Sequence, residues 1–341
     1  MRPLTVLLVI PTGIGARVGG YAGDGIPVAR LFAGVADCLI THPNVLNGAM
    51  LSWPLDNALY VEGYALDRFC AGQWNLRPVH RNRIGVLFDA ALDETQRIHH
   101  LNAIEAARWT LGIDILGYHF TESPLGVTTE ISAKGVSWGT LREPDALLRS
   151  AEKLKAAGAE AIAVVTLCPD SDDADYLAGK GVDPVGGVEA VISHLIVRHL
   201  QIPAAHAPAF ASNEVPQRVH PQVAAESLGH TFLPCILAGL SRAPGYVPLE
   251  TREATDLTAA HVDVIVSPID CCGGSGLLAL MDRPNPPILL VVEENTTHLA
   301  VTPERLGLKA QRVRSYLEAC GWLVAWKNGF TLSHTALSEV V

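Results

Sequence analysis

Three clusters of His, Asn and carboxylate residues stand where short apolar runs end, and each follows a Gly-Gly pair by a similar interval. Gly19-Gly20 leads to Thr41-His42-Pro43-Asn44, Gly186-Gly187 to His206-Ala207-Pro208, and Gly273-Gly274 to Glu293-Glu294-Asn295. From the second glycine to the first polar residue the steps are 22, 19 and 19 (20 to 42, 187 to 206, 274 to 293). An imidazole titrates near neutrality, and a well-placed carboxylate complements it in general acid–base work. His42 and His206 are therefore the candidate acid–base groups, and Glu293 the candidate base or metal ligand. Adjacent strand residues point to opposite faces, so only one of Glu293 and Glu294 should face a site. Asn44 and Asn47 would orient a substrate through paired hydrogen bonds, with Asn295 at the third tip; the plainer alternative for Asn44 is an Asx-type turn. Two His and one carboxylate also suit zinc or non-haem iron, so a divalent metal stays open, although nothing local enforces it.

The glycines bear on what such a site would hold. Pro11 to Gly25 carries glycines at 13, 15, 19, 20, 23 and 25, together with Arg17 and Asp24. Gly13-Ile14-Gly15 begins a dinucleotide fingerprint, but Val18 stands where its third glycine belongs, and no Gly-Lys-Ser or Gly-Lys-Thr is present. What remains is a generic ligand or anion loop, or a sharp turn. Asp183 precedes Gly186-Gly187 at an expected helix start open to an anion, with Glu189 complementing the helix dipole. Gly19, Gly20, Gly186, Gly187, Gly273 and Gly274 would supply backbone donors. Asp270-Cys271-Cys272 precedes another helix start, where a thiol pKa falls; Cys271 and Cys272 are the thiol candidates, or else small residues filling a tight loop. Glu62 lies in an apolar context and is either a buried carboxylate with a raised pKa or an edge residue facing solvent. His194 and His199 are five apart, off a shared helix face, and read as structural.

Positioning these groups requires an α/β chain. Short β-branched runs alternate with Ala- and Leu-rich stretches, which predicts a mainly parallel, mixed sheet with flanking helices in a Rossmann-like three-layer arrangement. The expected strands are Thr5–Ile10, Cys38–Thr41, Ile84–Phe88, Ala161–Thr166, Val262–Val266, Ile288–Val292 and Leu323–Trp326. The expected helices are Glu94–Leu111, Asp145–Ala157, Val188–Leu200, part of Gln222–Leu240, and Pro303–Cys320. Leu111–Gly139 alternates like a hairpin or edge ribbon. If there are two lobes, the boundary falls near residue 142 (1–142 and 143–341), with the site at the interface. Leu4 to Ile10 reads as a buried first strand, since Pro11-Thr12-Gly13 stands where a signal-cleavage site would be.

Of 341 residues, 49% are hydrophobic and 18% charged, so a large core is affordable, and a net charge of −10 argues against nucleic-acid binding. No apolar run is long enough to span a membrane. Seven scattered cysteines without C-x-x-C spacing suggest neither a zinc site nor a disulfide framework, so a reducing cytoplasm fits.

The stretches Gly20-Tyr21-Ala22-Gly23-Asp24, Ile40 to Gly48, Gly181 to Gly187, His206-Ala207-Pro208, Thr231 to Cys235 and Glu293 to Thr297 resemble a family catalogued as a domain of unknown function, found in cyanobacteria, other bacteria and photosynthetic eukaryotes. The resemblance spans nearly the whole chain and implies no particular activity. The residues themselves point to an enzyme acting on a small, polar, anionic metabolite by His/Glu acid–base chemistry, hydrolase or lyase before isomerase. The alternatives are a nucleotide- or cofactor-dependent enzyme and a non-catalytic metabolite-binding protein. A small-molecule substrate is the expected partner, with no nucleic acid and no membrane, and a homo-oligomer is left open.

Overall fold

Continuous apolar runs become strands covered on both faces. The computed structural model describes residues 3–21, 23–47, 51, 53–170, 174–211 and 232–330. A first sheet takes β1 (Thr5–Leu8), β2 (Cys38–Thr41) and β3 (Ala58–Tyr60) from early in the chain and β12 (Val264–Pro268), β13 (Ile288–Val292) and β14 (Gln311–Val313) from late in it. Its order is β14-β13-β12-β1-β2-β3, and every pairing is parallel. The apolar run near residue 5 is thus a central strand, buried at all four positions and paired on both sides.

A second parallel sheet comes from the middle of the chain: β5 (Ile84–Phe88), β6 (Ile115–Phe120), β9 (Ala161–Cys168) and β10 (Ala204–Phe210), in the order β10-β9-β5-β6. The ribbon expected within 111–139 is the hairpin of β7 (Val127–Ile131) and β8 (Ser137–Leu141). β4 (Trp74–Arg77) pairs antiparallel with β11 (Gly245–Pro248).

A division at 142 does not follow these sheets. The chain leaves the first sheet after β3, builds the second, and returns at β12, so residues from both sides of 142 complete the first sheet. The apolar core is shared as well: Leu8, Phe88, Val165 and Ala207 belong to one buried cluster, and Leu7, Leu87, Val164 and Ala204 to another.

The helices are α1 (Ile26–Ala33), α2 (Pro43–Leu46), α3 (Gly63–Cys70), α4 (Glu94–Leu111), α5 (Pro144–Ala156), α6 (Ala174–Leu177), α7 (Gly186–Leu200), α8 (Leu233–Leu240), α9 (Ser275–Met281) and α10 (Tyr316–Lys327). α4 starts where a capping box sets it: Asp93 accepts from the Gln96 N–H at 2.8 Å, and Gln96 returns the bond to the Asp93 N–H. The helix expected over Pro303–Cys320 does not form. Glu304–Leu306 makes a single 3₁₀ turn that ends at Gly307 (φ 67°), and Gln311–Val313 adds an edge strand beside β13. The true start is Ser315, whose hydroxyl accepts from the Glu318 N–H at 3.1 Å. Leu323–Trp326, expected as a strand, lies inside α10, because a four-residue apolar run carries no period that separates helix from strand. In the expected helix Gln222–Leu240, residues 222–231 lie outside the described residues, as do Ala22, Gly48 and Thr231. Among the described residues no helix is long and apolar enough to cross a membrane.

Candidate active site

Loops at the carboxyl ends of the two sheets meet. The loop after β1 hands the Gly13 carbonyl to the Ser137 N–H at 2.8 Å, and the Ser137 hydroxyl accepts from the Gly187 N–H at 3.0 Å. A Cβ on Gly187 would lie 2.4 Å from the Ser137 carbonyl oxygen, so this position is glycine because two backbones touch there. Asp183 accepts from the Val185 N–H at 2.9 Å. At the start of α7 the Gly187 N–H is therefore taken by Ser137, and the Asp183 carboxylate stands beside Gly186, which opposes the anion seat expected at Gly186-Gly187.

Beside that closed terminus lies a polar chain in an otherwise apolar layer. Pro208 pairs with Thr166 and His206 with Val164, so Thr166 and His206 share one face of the second sheet. α7 runs back along β10 and returns its first turn to this face. There Glu189 Oε1 meets His206 Nδ1 at 3.2 Å. On the other side of the ring, His206 Nε2 makes a short hydrogen bond to the Thr166 hydroxyl, which also lies 3.7 Å from Cys168 Sγ. A carboxylate at Nδ1 selects the Nδ1–H tautomer and leaves Nε2 as acceptor for the Thr166 O–H. The His206 side chain is 1% exposed and that of Glu189 26%, so solvent reaches the chain at Glu189. Burial, followed by the Glu189 charge, pushes the Cys168 thiol up to about 12.

A second carboxylate–imidazole contact lies further along α7. Glu62 is the N-cap of α3: its Oε2 accepts from the Tyr64 and Ala65 N–H groups at 2.8 and 3.2 Å, while Oε1 lies 3.4 Å from His194 Nε2. Glu62 is buried, and that burial pushes its carboxyl up to about 8 despite the two N–H donors. Its own N–H donates to the Tyr246 hydroxyl at 3.3 Å. Tyr60 donates to Asn47 Oδ1 at 2.8 Å; its pKa is raised by burial first and, among smaller causes, by the charge of Glu189.

The first and third strand tips singled out in the sequence do not share these contacts. His42 is buried and accepts the Ile10 N–H on Nε2 at 3.0 Å, tying β2 to β1, and burial drops its pKa to about 4. Asn44 donates to the Ile10 and Gly19 carbonyls at 3.3 and 2.6 Å, clamping the loop that contains Gly20 and Asp24. Asp24 accepts from the Tyr21 N–H within that loop. Glu293 is exposed, with Arg312 4.0 Å away, and Glu294 accepts from the Tyr316 N–H at 2.7 Å at the start of α10. Neither glutamate carries an acid–base contact with His42 or His206. Asn295 is fully buried and bonded to Val18 N–H, the Val18 carbonyl and the Tyr316 hydroxyl. Asp270 accepts from Thr297 at its N–H and its hydroxyl. Cys271 and Cys272 do not show the expected lowered pKa: burial pushes them up to about 12 and about 11. His194 and His199, expected to be structural, contact Glu62 and Glu152 respectively. Among the described residues no three His, Cys, Asp or Glu side chains are grouped to hold a metal ion.

Of the three tips, only His206 keeps a carboxylate partner, and that partner is Glu189. Glu189 reads from sequence as a helix-dipole residue. The signal that finds it is topological: in a helix feeding a parallel strand, the first turn lies back over the strand's carboxyl half.

The chain is 52% identical over 341 residues to an uncharacterised lipoprotein of Synechococcus sp., covering 99% of this chain and 94% of that protein. No solved structure matches it. The model of a family described as "Protein of unknown function (DUF3326)" matches residues 5–336, and the chain belongs to that family.

Proposed function

We propose that this protein is an enzyme acting on a small polar metabolite by acid–base chemistry of the hydrolase or lyase type, with His206 as the proton-handling group and Glu189 as its carboxylate. The observation that carries this reading is the buried imidazole held between Glu189 on Nδ1 and a hydroxyl on Nε2. In that tautomer Nε2 takes a proton from the hydroxyl or water that occupies the Thr166 position, and the imidazolium so formed is stabilised by Glu189 3.2 Å away. Thr166 is fully buried and holds Nε2 in the resting state, and turnover requires its hydroxyl to give way to a substrate group. Glu62, raised to about 8, is a second proton donor on the neighbouring helix.

An anionic substrate has less support than a neutral one, because Ser137 takes the Gly187 N–H and the Asp183 carboxylate lies at the α7 terminus. A reducing cytoplasmic setting is supported by seven free thiols, six of them buried. The competing reading, a metabolite-binding protein without turnover, draws on the same fact that both ring nitrogens of His206 are engaged.

A thermal-shift screen of small carboxylates, amides, esters and nucleotides tests the proposal. A true ligand at about 100 times its Kd stabilises by about 2.7 kcal/mol. The proposal expects a hit from the small polar compounds whose shift shrinks in Glu189→Gln; hits confined to nucleotides would favour the cofactor-dependent alternative.

A further inference from the structure

A parallel sheet has one place where strand order reverses. In the first sheet the chain runs outward from β1 through β2 to β3, and from β12 in the opposite direction through β13 to β14. The reversal lies between β1 and β12, and open α/β sheets bind ligands in the crevice beyond the carboxyl ends of those two strands. A cavity of about 320 Å³ occupies that crevice. Val9 and Pro11 follow β1, Cys271, Gly273 and Gly274 follow β12, and Leu66, Asp67 and Cys70 come from α3. A larger open groove of about 620 Å³, beside Arg30 and Trp53, lies toward the amino ends of β2 and β3, away from any such crevice. The second sheet reverses between β5 and β9. There Asp89, fully buried, fills the corresponding place by accepting from the Ala91, Leu125 and Leu167 N–H groups.

The lining states the chemistry of an occupant. Leu7, Val9, Leu66, Leu277, Leu299 and Val301 make most of the wall apolar. The one carboxylate, Asp67, is engaged by the Ser275 hydroxyl and by the Gly276 N–H at 2.9 Å. Cys70 and Cys271 are neutral thiols at physiological pH, because burial raises both. Gly273 and Gly274 border the cavity and are exposed, so they form its solvent-side rim. The geometry points to a binding site for a neutral, largely apolar small molecule whose polar end lies at the exposed Gly273-Gly274 rim. The third Gly-Gly pair of the sequence thereby acquires a ligand, one of different chemistry from that of the Glu189–His206 site. This inference stands independently of the acid–base reading.

The probe is 2-nonanone, an uncharged nine-carbon ketone, compared with nonanoate, which has the same chain length and a negative charge, each titrated into the full chain by calorimetry. Gly274→Leu and Leu299→Trp add bulk at two lining positions on different loops. Gly274 has φ −64° and ψ 139°, open to any residue, and an added Cβ meets nothing within 4 Å, so that variant retains its fold. The expected result is saturable binding of 2-nonanone, at least tenfold weaker binding of nonanoate, and at least tenfold loss of ketone binding in both variants. Absence of saturable ketone binding, nonanoate binding as tightly as the ketone, or unchanged affinity in both variants would overturn the inference.

Discussion

Glu189 and His206 are 17 residues apart in the chain and meet at 3.2 Å between Oε1 and Nδ1, joined by one helix and one strand. The contact is buried at the imidazole and open at the carboxylate. It gives the second sheet a hydrogen-bonded chain that begins in the core, at Thr166, and ends at Glu189, where solvent enters.

The pairing fixes a tautomer. Nitrogen NMR of the neutral His206 ring should show a proton on Nδ1 and none on Nε2. Glu189→Gln should weaken that preference, whereas Glu293→Gln should leave the His206 signals unchanged. Equal signals in wild type and Glu189→Gln would remove the carboxylate from the relay.

Glu62 should make stability fall as pH rises. Its carboxyl is raised from 4.5 to about 8 in the fold, so the folded state holds the proton more tightly than the unfolded chain. The contribution is complete below about 4.5 and is lost as pH rises through about 8, with a slope approaching ~1.4 kcal/mol per pH unit. Glu62→Gln keeps an acceptor for the Tyr64 and Ala65 N–H groups and should flatten that slope in urea titrations made between pH 5 and 8.

His42 acts in the opposite direction. It is held neutral with a pKa lowered from 6.5 to about 4, so its contribution is present above 6.5 and is lost as pH falls through 4. Burial lowers His100 and His194 too, so the effect is read as the difference profile between wild type and His42→Gln, which should drop by roughly 3 kcal/mol between pH 7 and pH 4. A flat profile would show that the ring is not confined as the Ile10 contact requires.

Three substitutions rank positions by what their contacts carry. Asn295→Ala strips partners from Val18 and Tyr316 inside the core and should cost about 2–3 kcal/mol in chemical denaturation. Gly187→Ala drives a methyl into the Ser137 carbonyl and should cost about 1–3 kcal/mol. Glu293→Gln, at an exposed position, should change stability by less than about 0.5 kcal/mol.

Much of the fold is legible in the sequence because buried parallel strands announce themselves as unbroken apolar runs. Cys38–Thr41, Ile84–Phe88 and Ile288–Val292 form at the expected residues, and the capped α4 spans Glu94–Leu111 as its flanking residues dictate. Residues 303–327 read less well. A helix-like Pro303-Glu304 start is stopped by Gly307, and the competing cap at Ser315 decides where α10 begins. The site is legible only in part, for a physical reason. Polar residues at strand ends serve two purposes, and local spacing does not tell them apart. His42, Asn44 and Asn295 hold loops against neighbouring strands, whereas His206 faces the first turn of a helix that sequence distance alone does not bring near.

The central claim is tested most directly by following, in His206→Gln, the conversion of whichever small polar compound stabilises the wild-type chain. Product formation should fall at least a hundredfold in that variant while the ligand-induced thermal shift persists, as expected when the group that moves the proton is removed from an otherwise formed site. Conversion at the wild-type rate in His206→Gln, or a ligand bound firmly by the wild type and never converted, would contradict it.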